Sequence, residues 1–71
     1  MKPLTAKRII KILEANDFVF SRSRGSHMIF RHPHTNIAVP VPLHGGNKPL
    51  PLGTFLAIVK QSKIPKEEFK R

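Results

Sequence analysis

Residues 25–27 read Gly25-Ser26-His27, a histidine set by a glycine turn at the head of an apolar run. Arg22, Arg24 and Arg31 flank it in sequence. An imidazole ordinarily titrates at about pH 6.5, so near neutrality an uncharged ring is available to take a proton. Guanidinium groups can hold a phosphate whose charge grows in a transition state. These residue types suit attack on RNA, with His27 as general base toward a 2′-hydroxyl and the arginines as phosphate contacts.

The charge balance of the whole chain points the same way. In 71 residues there are 13 Lys and Arg and only four acids, giving a formal net charge of +9. The acids are Glu14, Asp17, Glu67 and Glu68. Such a balance attracts nucleic acid, an acidic protein or a membrane surface. Membrane binding is disfavoured, because no segment has a broad apolar face that the core does not need. No apolar stretch approaches the roughly 20 residues of a membrane span, and no signal-peptide core follows Met1-Lys2-Pro3. The expectation is one small cytoplasmic domain over residues 1–71, with no cysteine for a disulfide or a thiolate metal site.

Other chemistries fit less well. Reading Ser26 as the first residue of a strand turns it to the face opposite His27, which argues against a Ser26–His27 nucleophile pair. No carboxylate in the motif could orient the imidazole, and Asp17 is a distant candidate, so a serine-hydrolase triad is rejected. His32 and His34 flank Pro33, but without Cys or a nearby acid they read as a hairpin tip. No metal and no cofactor are expected. Gly45-Gly46-Asn47-Lys48 lacks the strand–loop–helix context of a phosphate cradle and reads as a basic loop, with Lys48 touching RNA backbone. His44 is a candidate accessory acid.

These residues must be held by ordinary elements. Thr5 can cap a helix whose apolar positions are Ala6, Ile9, Ile10 and Leu13, with Asn16-Asp17 ending it. Lys7 and Lys11 fall on its solvated side. Strands are predicted over 18–22, 26–31 and 37–42. Ser23-Arg24-Gly25 is read as a three-residue hairpin loop with Gly25 in the left-handed position. That loop sets Phe20 opposite Met28 and Phe18 opposite Phe30, and leaves Val19, Ser21, His27, Ile29 and Arg31 on the other face.

The turn Pro33-His34-Thr35-Asn36 pairs Phe30 with Val39, Met28 with Val41 and His27 with Pro42. Pro40 and Pro42 share a parity that only an edge strand tolerates. A second helix carries Leu52, Phe55, Leu56 and Val59 to about Ser62, followed by a basic tail with one more turn through Phe69. The reading is α+β, in the order α-β-β-β-α: a three-stranded antiparallel sheet with two helices on its Phe/Met/Val face. The phenylalanines lie at core parity and are not assigned to base stacking.

Arg22 to Phe30 (RSRGSHMIF), His32-Pro33, Val39-Pro40-Val41-Pro42, His44-Gly45-Gly46-Asn47-Lys48 and Gly53-Thr54-Phe55-Leu56-Ala57-Ile58 together resemble the HicA toxin family of HicAB toxin–antitoxin modules. The likeness spans roughly residues 2–64. It implies a double-stranded-RNA-binding-domain-like fold and a metal-free mRNA interferase with His27 as its catalytic residue. It also implies RNA as substrate and a HicB-like antitoxin that covers the site. Asp17 stands where the family commonly has Gly, and Pro51-Leu52-Gly53 replaces the usual Lys-Pro-Gly entry to the second helix. The resulting expectation is a ribonuclease toxin with His27 as base, Gly25 permitting its hairpin, and Arg22, Arg24, Ser26, Arg31 and Lys48 on the RNA. The alternatives are a non-catalytic double-stranded-RNA-binding module and an interaction domain whose edge strand and basic face engage an acidic protein.

Overall fold

The computed structural model describes residues 1–43 and 47–70. Helix α1 spans Ala6–Ala15, and the Thr5 hydroxyl caps it by accepting from the Arg8 N–H at 3.2 Å. It ends in a Schellman turn. Asp17 takes φ +70, its N–H donates to the Glu14 carbonyl (3.1 Å), and the Phe18 N–H donates to that of Leu13 (3.0 Å). Phe18 and Leu13 are both buried, which supplies the apolar contact that usually accompanies this stop.

Strands β1 (Val19–Arg24), β2 (His27–Arg31) and β3 (Ala38–Pro42) form an antiparallel sheet in the order β1-β2-β3. The second hairpin has the predicted register, with Phe30 opposite Val39, Met28 opposite Val41 and His27 opposite Pro42. The first hairpin does not. Its loop is the two residues Gly25-Ser26, with Arg24 paired to His27, and Gly25 takes φ +59. A glycine with positive φ at the first of two loop positions is what a type II′ turn needs, and the right-handed strand twist favours that turn over a longer loop. Continued unbroken, that register would set Ser21 opposite Phe30, yet Phe20 stands there.

Between Phe20 and Arg22 the register shifts by a β-bulge that absorbs Ser21. One extra residue reverses the alternation for the rest of the strand. Arg22 and Arg24 therefore pair with Ile29 and His27, on the face that an unbroken strand would deny them.

Both helices pack on β3 over the face that carries Phe30, Val39 and Val41. Helix α2 spans Leu52–Ser62 and buries Phe55, Ile58, Val59 and Ser62. The expected stripe is thus turned: Leu52 and Leu56 are exposed. The two stripes share Phe55 and Val59, and periodicity cannot choose between them; the fold buries Ile58 and Ser62 in place of Leu52 and Leu56. After α2 stops at Lys63 (φ +64), a 3-10 turn over Lys66–Phe69 folds back and buries Phe69 edge-on to Phe55, ring centroids 6.1 Å apart. Ile64 is buried with it.

Candidate functional site

The outward face of the sheet is built by register. Its positions are Val19, Arg22 and Arg24 on β1, His27, Ile29 and Arg31 on β2, and Ala38, Pro40 and Pro42 on β3. His27 lies in the central strand between Arg24 and Pro42, partly buried, while Arg22 and Arg24 are exposed. Directly opposed residues have Cβ atoms about 5 Å apart, so Arg24 is the closest cationic neighbour across the strand. Sequence reasoning placed Ser21 there. The two-residue Gly25-Ser26 turn is the reason for the difference, and the bulge beyond Arg22 then restores Phe20 to the core face.

Arg31 shares the face at the far end of β2 from His27, and its guanidinium Nη1 donates to the Asn36 carbonyl at 3.1 Å and to Asn36 Oδ1 at 3.4 Å. Asn36, with φ +64, closes the loop between β2 and β3. Its role in holding Arg31 went unread in the sequence, where Asn at the end of a turn signalled only the turn. Ser26 occupies the second loop position, not the first position of a strand, so strand alternation does not decide where it faces. Its carbonyl accepts from the Leu43 N–H at 2.9 Å and prolongs the β2–β3 ladder.

Lys48 stands outside the sheet, exposed, next to the bridge between Pro49 and Thr5 at the start of α1. It is not brought onto the His27 face by strand register. His44 lies outside the described residues. His32 is held in the turn, its Nδ1 accepting from the backbone N–H groups of His34 (3.1 Å) and Thr35 (3.2 Å) and its ring edge-on to Phe18. Among the described residues no three His, Asp or Glu side chains are grouped as metal ligands would be, and no helix is long and apolar enough to cross a membrane.

The charges are segregated. Glu14 lies in α1, Asp17 follows it, and Glu67 and Glu68 lie in the 3-10 turn. None of the four acids occupies the outward sheet face, which carries three arginines and one imidazole. A phosphate placed there gains attraction from each cation with no carboxylate in the face to oppose it. The arrangement can bind a phosphodiester and move a proton beside it.

A family model described as the HicA toxin of bacterial toxin–antitoxin matches residues 6–64. No curated protein matches the chain. The matched segment begins with α1 and runs through the sheet and α2 to buried Ile64.

Proposed function

The chain belongs to the HicA toxin family, the toxin side of a toxin–antitoxin system, and from that premise we propose that it is an endoribonuclease that cleaves mRNA by acid–base chemistry without a metal. The observation that carries this reading is the acid-free sheet face, with His27 at the head of its central strand and Arg24 opposite. In the proposed reaction His27 takes the proton of a ribose 2′-hydroxyl. The 2′-oxygen bonds to the adjacent phosphorus as the bond from phosphorus to the 5′-oxygen breaks. Arg22, Arg24 and Arg31 offset the charge that builds on the phosphoryl oxygens. The departing 5′-oxygen takes up a proton, with His44 the candidate donor. Products then carry a 2′,3′-cyclic phosphate and a 5′-hydroxyl, and a HicB-like antitoxin silences the reaction by covering this face.

The test compares induced wild type with His27→Ala. Losing a general base costs roughly 10²- to 10⁴-fold in rate. The expected result is loss of growth arrest and of RNA cleavage in the variant, with RNA binding retained and wild-type cleavage persisting in a chelator. Products with 5′-phosphate ends, or a His27→Ala protein that cuts at the wild-type rate, would refute the mechanism. Intact RNA with both proteins, each still binding it, is the outcome of a non-catalytic module.

A further inference from the structure

The two edges of the sheet are not alike. On β2 the ladder to β3 uses alternate residues: the Leu43 N–H bonds the Ser26 carbonyl and the His32 N–H bonds the Ile37 carbonyl, each at 2.9 Å. Met28 and Phe30 fall in the same alternation and point their amides at Val41 and Val39. Pro40 and Pro42 therefore aim their backbone at the outer edge of β3, where neither has an N–H. The Ala38 carbonyl on that edge already accepts from Gln61 Nε2 of α2 at 2.7 Å. The β3 edge is thus closed to a new strand.

The β1 edge is open. Phe20 and Ser23 lie opposite Phe30 and Met28, so their N–H and C=O groups point away from the sheet. All six residues of β1 are exposed. Val19 (54% exposed) and Phe20 (50%) place adjacent large apolar side chains on the two faces of this edge. Phe20 lies on the core face edge-on to Phe30, ring centroids 5.9 Å apart, yet half of it stays exposed.

We propose that β1 is the docking edge for the antitoxin, which adds an extended, acidic segment to the sheet as a fourth strand. Charge selects this occupant. A second copy carries the same net charge of +9 and would bring its own Arg22 and Arg24 onto the adjoining strand, where like charges repel. An acidic strand reverses that sign: its alternate carboxylates fall beside Arg22 and Arg24, while its apolar residues cover Phe20. Docking at this edge also takes Arg22 and Arg24 from any phosphate on the His27 face and brings the antitoxin to the border of the face it covers. The bulge at Ser21 limits the free edge to a short register, which discourages further strands. This inference rests on the family-based reading that the partner is an antitoxin.

The probe is a blocked synthetic peptide alternating glutamate and valine, titrated onto isotope-labelled protein and followed by amide hydrogen exchange. The purified complex with the antitoxin is measured in the same way. In both, the Phe20 and Ser23 amides should become protected while those of Arg22 and Arg24, already turned toward β2, change little. Ser23→Pro removes one outward donor and leaves the β1–β2 ladder intact. It should weaken binding roughly tenfold while circular dichroism and the RNA cleavage rate of the free toxin stay unchanged. A peptide with lysine in place of glutamate should not bind.

New protection confined to α2 or to Ala38, or none at Phe20 and Ser23 in either complex, overturns the proposal. So does protection that grows with protein concentration alone, which identifies a second copy, or equal protection by RNA alone. Cleavage by the free toxin is scored separately, so failure of the nuclease reading and failure of strand addition give different results.

Discussion

At the scale of single residues, the cations named from sequence divide by geometry. Arg22 and Arg24 are exposed and register-locked to the His27 face, Arg31 is partly committed to Asn36, and Lys48 stands off the sheet. Each phosphate contact to a single strand contributes about 0.7 to the slope of log affinity against log salt. Arg22→Ala and Arg24→Ala should each lower that slope by about this amount in RNA-binding titrations. Lys48→Ala should change it less. Equal loss in all three variants would show that RNA runs past the loop as well as the sheet. Gly25 makes a second residue-scale case. A Cβ there would meet nothing within 4 Å, so the cost of Gly25→Ala is conformational. An L-residue at φ +59 costs roughly 1–2 kcal/mol. Chemical denaturation should show that loss, and cleavage should fall further than stability alone accounts for, because the turn aims both Arg24 and His27.

At the scale of elements, the stop of α1 and the bulge in β1 decide what faces what. Asp17 takes a left-handed conformation that disfavours a side chain, and it puts a negative charge at the negative end of α1. Both effects have one sign, so Asp17→Gly should stabilise the protein by up to about 1 kcal/mol in thermal melts. Deleting Ser21 is expected to be mild. The pairs on either side of the bulge are already in register, Phe20 with Phe30 and Arg22 with Ile29. Removal closes the gap and keeps Arg22 and Arg24 on the His27 face, and near wild-type RNA cleavage by the deletion variant checks this. The element order, the register of the second hairpin and the β3 edge were legible because Pro parity, turn residues and alternating Phe, Met and Val each demand one arrangement. The first hairpin was not. Its strand is polar, exposed and next to a glycine, so no buried face fixed the parity. The outward placement of His27 at the head of the middle strand was therefore readable, whereas Arg24 as its cross-strand neighbour required the fold.

At the scale of the whole molecule, a small domain must support a strongly cationic face with a limited core. A chain of this length has about 4–10 kcal/mol of net stability. Self-repulsion among its charges lowers that further, and the acids are confined to α1, the turn that ends it and the 3-10 turn, away from the sheet face. The chain recovers core from its last residues: Ile64 and Phe69 are buried, and Phe69 is among the largest fully buried side chains. In sequence this segment reads as a basic tail, because Lys63, Lys66 and Lys70 hide an apolar pair whose spacing belongs to no long helix. Phe-to-Ala changes in cores cost roughly 3–5 kcal/mol, a large part of the total available here. Phe69→Ala should therefore lower the melting temperature by more than about 12 °C, taking about 4 °C per kcal/mol as the lower bound for a domain of this size. A polyanion that binds the folded sheet face should raise it again in proportion to occupancy. Recovery of cooperative melting on adding RNA would show that the cationic face and the Phe69-closed core share one folding transition. A melt in which RNA shifts nothing would mean that the face binds no RNA, or that the unfolded chain binds it as tightly as the folded one.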